Sequence, residues 1–168
     1  MNRIFYLANH VLLVIATAIV GSSQTQSGVV TLKFEPKEAY IERRGAEQFV
    51  NFDLLLQNGG SLPLRINKIQ LSVYDSTGAL AFRRYLDENG RPSGISAVPD
   101  RIVPAGGVLV VFNPVYSFSE EMPLTRLHYE IFFEHTDEKE PNLLNFVAKS
   151  EGDVYATPYT DKTKKATR

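Results

Sequence analysis

The chain has 168 residues, no cysteine and a formal net charge of −1. This length suits one domain. A near balance of 18 Lys+Arg against 19 Asp+Glu argues against a dedicated nucleic-acid binder, and the lack of cysteine excludes disulfides, cysteine-ligated metal, thiol catalysis and a lipidated N-terminal cysteine. In residues 1–23, Arg3 supplies a positive start, an apolar run continues from Val11 to Val20, and small residues follow at Gly21, Ser22 and Ser23. This is the pattern of a cleaved signal peptide, with the cut expected between Ala18 and Gln24; the alternative is an uncleaved N-terminal anchor. The uninterrupted run is too short for a mature membrane span, and Asn9 and His10 would be costly in lipid. A secreted or periplasmic protein of the bacterial envelope is therefore expected, with no stable membrane span once the signal is removed.

The body, residues 28–158, has period-two patterning. Val30 to Phe34 alternates until Pro36 stops it. Gln48 to Leu56 reads as one strand with Val50, Phe52, Leu54 and Leu56 on one face and Phe49, Asn51, Asp53 and Leu55 on the other. Asn58-Gly59-Gly60-Ser61 is a turn. Leu64 and Ile66 share one parity while Ile69, Leu71 and Val73 share the other, so a β-bulge or kink is expected at Asn67-Lys68. Asp75-Ser76-Thr77-Gly78 reads as a hairpin turn leading into a strand from Ala79 to Leu86.

Asp87 to Pro99 is rich in turn residues and has room for one helical turn near Ile95. Arg101 to Val103 reads as a short strand. Val108 to Phe112, apolar on both faces, is another, ended by Asn113-Pro114. Leu124 to Glu134 is expected to be the longest strand, with Leu127, Tyr129, Ile131 and Phe133 inward and His128, Glu130 and Glu134 on the polar face. Thr136 to Asn142 is a charged loop. Leu143 to Lys149 is expected as the last full strand, and Asp153 to Thr157 as an added edge. Residues 159–168 form a polar basic tail expected to be disordered. About eight short strands with turn signals between them predict an all-β antiparallel sandwich of immunoglobulin or fibronectin type.

No catalytic, cofactor-binding or metal-binding residue is expected. Of the three histidines, His10 lies in the signal, and His128 and His135 match no zinc-motif spacing. No G-x-S-x-G elbow occurs, and Ser93-Gly94-Ile95-Ser96 reads as loop. Asp87-Glu88 and Glu120-Glu121 read as solvated turn carboxylates rather than an acid–base pair. Asn58-Gly59-Gly60 and Gly106-Gly107 lack the helix and Gly-Lys-Ser/Thr ending of a phosphate loop. Asp75, Asp87 and Asp100, near strand ends, have the oxygen chemistry of a calcium pole but no dense D-x-D run. Arg43-Arg44 and Arg83-Arg84 read as edge protection. The 10 Phe and 8 Tyr mostly fall at inward positions, and with no Trp they read as core rather than a carbohydrate platform.

The stretches Leu32 to Tyr40, Phe52 to Asn58, Pro63 to Ile66, Val73 to Asp75, Pro104 to Gly107 and Val111 to Pro114 carry a resemblance over residues 32–134. Together they resemble the β-sandwich accessory module found ahead of lysostaphin-type zinc metallopeptidases in secreted bacterial proteins. They are also similar to the small proteinase-inhibitor sandwich of bacilli. The peptidase motifs H-x(3–6)-D and H-x-H have no counterpart in the chain. The resemblance thus implies a non-enzymatic accessory module, standing alone or as a shortened gene product, whose partner is a protein or envelope component. Recognition is expected through the loops Asp87–Pro99 and Thr136–Asn142 or through an exposed edge strand. The alternative is an inhibitor that inserts one of those loops into a protease cleft.

Overall fold

The computed structural model describes residues 29–136 and 146–159. The expected signal, the loop from 137, the start of the expected strand at Leu143 and the tail from 160 lie outside the described residues. The fold is all-β. A small sheet holds β1 (Val30–Glu35), β4 (Asp53–Asn58) and β8 (Val108–Phe112) in the order β1-β4-β8. A larger sheet holds β2 (Glu38–Arg44), β3 (Glu47–Val50), β5 (Leu64–Tyr74), β6 (Leu80–Leu86), β7 (Ile102–Val103), β9 (Ser117–Ser119), β10 (Arg126–His135) and β11 (Ala148–Pro158). Its path is β6-β5-β10-β11-β2-β3-β9, and β7 pairs with β5. Phe82 on β6 and Phe118 on β9 stand at opposite ends of this path, yet their rings meet edge to face at 6.3 Å. The larger sheet therefore curls until its two ends touch.

Alternation places the inner residues as expected. Val50, Phe52, Leu54, Leu56, Leu127, Tyr129 and Ile131 are all buried. Phe34, Phe52 and Tyr129 form an aromatic cluster with ring centroids 5.7–5.9 Å apart. The Tyr129 hydroxyl donates to Asn113 Oδ1 at 2.7 Å, and Asn113 Nδ2 donates to the Val50 carbonyl at 3.1 Å. Burial pushes the Tyr129 phenol far above its ordinary range, so it stays a protonated donor. The expected bulge is present: Phe132 faces Lys68 and Phe133 faces Ile66, leaving Asn67 as the extra residue. The 3-10 turn Gly94–Ala97 buries Ile95.

Several expectations need correction. There are eleven strands rather than about eight among the described residues, and one pairing, β11 with β2, is parallel. The run from Gln48 to Leu56 is two strands, because the chain crosses between sheets at Asn51-Phe52 while alternation continues through the crossing. β2 and β9 were not expected. β2 buries a small residue, Ala39, beside Ile41, and β9 has only three residues. Its link to β3 is reinforced by the buried Gln48, whose Nε2 donates to the Ser119 carbonyl at 2.9 Å and the Met122 carbonyl at 2.6 Å. β10 has 10 residues, fewer than the 11 of β5 and β11.

The last strand runs from Ala148 to Pro158 as one element, and Asp153–Thr157 is interior rather than an edge. Gly152 is not a break. A Cβ there would lie 2.9 Å from the Phe34 ring, so its bare backbone admits the aromatic cluster. At the β2–β3 turn Gly45 adopts φ +63°, a conformation open to glycine at low cost. Glu134, expected on a solvated polar face, is only 2% exposed and pairs with Arg65.

Candidate functional site

The outer face of the larger sheet gathers most of the chemistry-bearing side chains. Cross-strand register sets His128 opposite Asp153, Glu130 opposite Glu151 and Phe132 opposite Lys149. On the other flank of β10, Ser72 faces His128 and Gln70 faces Glu130. His128 Nδ1 lies 2.9 Å from Asp153 Oδ1, and Arg126 reaches the same carboxylate at 3.3 Å. Gln70 Nε2 donates to Glu130. One donor atom each from His128, Glu130 and Glu151 falls within 4.8 Å of the others, a donor set suited to zinc. Sequence reading missed this trio, because Glu151 reaches it only through the β10–β11 register.

A cation of the chain already occupies the carboxylates. Lys149 Nζ sits 3.1 Å from Glu130 and 2.6 Å from Glu151. The hydrogen bonds to Glu151 and Glu130 raise the Lys149 ammonium above its usual range, and the Lys149 hydrogen bond holds the Glu151 carboxyl below the usual carboxylate range. The raised lysine favours the fold below its unfolded value and loses that contribution as pH rises through the folded one. The depressed glutamate favours the fold above its unfolded value and loses it as pH falls through the folded one. The pair acts together between those limits. Because Glu151 is half exposed, its contribution is under about 1 kcal/mol. In Lys149→Met, an NMR titration is expected to show the Glu151 carboxyl rising toward its ordinary range, with thermal stability nearly unchanged. An unshifted carboxyl would show that Lys149 does not hold it.

The other sequence candidates do not converge. His128 is half-buried, and His135 lies at the far end of β10, opposite Leu64. Asp75, Asp87 and Asp100 join no metal-type cluster among the described residues. Each carboxylate serves its own turn. Asp75 Oδ1 accepts from the Thr77 N–H at 2.8 Å and the Ala79 N–H at 2.9 Å, Asp87 Oδ1 from the Asn89 N–H at 3.0 Å, and Asp100 Oδ1 from the Ile102 N–H at 3.4 Å. Bonds from the Thr77 side chain and the Ala79 backbone lower the Asp75 carboxyl. Arg44 pairs with Glu42 at 2.8 Å, and Arg83 Nε donates to Ser72 Oγ at 3.1 Å. The Asp87–Pro99 loop is pinned at its base by buried Ile95 and Val98, which leaves its tip, residues 89–92, exposed.

The surface that is not satisfied internally is β8, the edge of the small sheet. Val108, Val110 and Phe112 are 53%, 50% and 79% exposed. The Asn58 N–H donates to the Gly107 carbonyl at 2.9 Å, and the Asn113 N–H donates to the Phe52 carbonyl at 3.1 Å. These bonds set the phase of the antiparallel ladder. Leu109 and Val111 bond β4, and the N–H and C=O groups of Val108, Val110 and Phe112 point to the open edge. At the end of the strand an open groove of about 430 Å³ is lined by Asn51, Asp53, Ala97, Phe112, Pro114 and Tyr116. The other edges of the sheets are guarded differently: β1 shows Lys33 and Glu35, β6 shows Arg83 and Arg84, and β7 and β9 are short. Charge on an edge discourages pairing, and β8 has none.

No helix among the described residues is long and apolar enough to cross a membrane. The chain matches no family model and no curated protein.

Proposed function

We propose that this is a non-catalytic binding module of the bacterial envelope: an exported immunoglobulin-like sandwich that holds a protein partner and works beside a cell-wall peptidase. The observation that carries this reading is the β8 edge, where three exposed apolar residues also leave their own backbone groups open and a groove adjoins them. Strand addition uses these features: main-chain bonds supply affinity and flanking pockets supply selectivity. The polar face around His128, by contrast, is paired within itself. The proposed export rests on the N-terminal pattern, and the proposed link to a peptidase rests on the resemblance over residues 32–134.

A photo-crosslinking residue placed at Phe112 tests the reading in cells. The expected result is a discrete adduct with an envelope protein, lost when Val110→Lys is added, on a chain whose first residue lies between 19 and 24. Adducts that survive Val110→Lys, or arise only from the exposed tip of the Asp87–Pro99 loop, would favour the inhibitor reading instead. That second reading is supported by the pinned base of the loop, since inhibitors present rigid loops. The purified protein is expected to show no cell-wall digestion and no stoichiometric zinc. One zinc per chain, lost together with digestion in His128→Ala, would overturn the non-catalytic reading and assign the metal to His128, Glu130 and Glu151.

A further inference from the structure

We infer that the groove at the end of β8 takes a basic side chain, arginine or lysine, carried by the extended segment that adds to this edge. The inference rests on the reading of β8 as the contact surface and names what the partner must bring to it. Cross-strand register sets Glu35 of β1 directly opposite Asp53 of β4, and Asp53 directly opposite Phe112 of β8. Two carboxylates thus stand side by side on the outer face of the small sheet, next to an exposed ring. Like charges placed opposite one another weaken a sheet, and no ion pair among the described residues includes Glu35 or Asp53 to offset this. Lys33, two residues before Glu35, faces Leu55 instead. The two acids join no group of three metal-type donors among the described residues, so an organic cation suits them better than a metal ion.

The groove supplies the rest of a cation site. Asp53, Phe112 and Tyr116 line the same opening, and both rings are exposed. Tyr116 is braced by Phe49, whose ring stacks on it with centroids 6.3 Å apart. The guanidinium of Arg44 already lies 5.6 Å from the Phe49 centroid, with Glu42 as its counter-ion. A cation over an aromatic face is attracted by the ring electrons, arginine most often. A residue of the added strand that faces Phe112 lies two strand spacings from Asp53, about 10 Å between α-carbons. Arginine and lysine span that gap, with the apolar stem on the Phe112 ring and the charge at Asp53. Valine or serine at that position would stop short, and glutamate would add a third negative charge. Main-chain pairing alone accepts any strand, whereas the row of Glu35, Asp53 and Phe112 selects one by charge.

The test is fluorescence anisotropy with the protein as recovered from cells and three labelled nine-residue peptides. Each alternates valine and serine about a central arginine, leucine or glutamate, and reads the same in both directions, so either strand orientation is sampled. The arginine peptide is expected to bind about tenfold tighter than the leucine one and the glutamate peptide weakest, with the spread shrinking as salt rises. Asp53→Asn, which keeps the side-chain shape, should bring the arginine peptide down to the leucine one. Asp53→Lys combined with Glu35→Gln should turn the preference toward glutamate; this reversal separates charge selection from loss of fold. Val110→Pro, which removes an N–H on the open edge and no bond to β4, should abolish binding of all three. Peptides that bind alike, and are all lost in Val110→Pro, would overturn the basic side chain while the β8 edge stands as the contact surface. An arginine preference that survives Asp53→Asn and the charge reversal would overturn it too, since the cation then sits elsewhere. No binding of any peptide up to about 1 mM, the weak end of measurable association, would likewise overturn it, and the Phe112 adduct would then decide the binding module by itself.

Discussion

Phe52→Ala is expected to lower the unfolding free energy by about 3–5 kcal/mol, the range for deleting a buried phenylalanine. Phe52 is 5% exposed, and its ring meets Phe34 at 80° and Tyr129 at 88°, both edge to face. Deleting it would remove both contacts at once and leave a cavity that stiff neighbouring strands cannot close. Its position adds to the cost, since Phe52 is where the chain crosses from β3 in the large sheet to β4 in the small one. Asp53→Ala, one residue on and facing outward, should change stability by about 0.5 kcal/mol or less. Urea unfolding of both variants decides it. Equal loss from the two would show that the facing of this segment has been misassigned.

Glu134→Ala is expected to cost about 3 kcal/mol, near the lower end for breaking a buried ion pair because the Arg65 side chain keeps 28% of its exposure. The Glu134 carboxylate receives the Arg65 guanidinium at 2.5 Å and the Asn67 amide at the bulge. Arg65 Nε and Asn67 Oδ1 already have no hydrogen-bond partner among the described residues, so removing the acid would strand further buried polar groups beside them. Replacing both partners, as Arg65→Met with Glu134→Met, should recover most of the loss, because no lone charge is then left buried. Thermal unfolding of the single and double variants tests this. A single variant within about 0.5 kcal/mol of wild type, the range of ordinary surface changes, would show that the pair holds nothing in place.

Facing was more legible in the sequence than pairing. The buried set from Val50 to Leu56 and from Leu127 to Ile131 follows from alternation alone, because a residue's face depends on its own strand. The bulge at Asn67 was legible for the same reason, since parity slips there. The crossing at Asn51-Phe52 was not, because alternation passes through it unbroken while the hydrogen-bond partners change. Glu134 keeps the parity of His128 and Glu130, yet Arg65 and Asn67 from β5 close over it. The apolar character of both β8 faces could be read directly. That β8 ends a sheet, with Val108, Val110 and Phe112 facing outward, depends on a topology that no local pattern carries. The trio of His128, Glu130 and Glu151 likewise needed the β10–β11 register.

The placement of β11 has a consequence for the order in which the molecule assembles. β11 lies between β10 and β2, with Glu38 beside Tyr155 in a parallel ladder. The first strand of the large sheet in chain order is thus joined to the rest of that sheet by the last described one. A chain emerging from its N-terminal end can form the β2–β3 hairpin early, but β2 stays separated from β10 until β11 arrives to bridge them. Such a non-local closure step puts folding in the slow, millisecond-to-second class of topologies. Until β11 arrives, the partly made chain keeps two long strand edges open, which exposes it to chaperones and proteases.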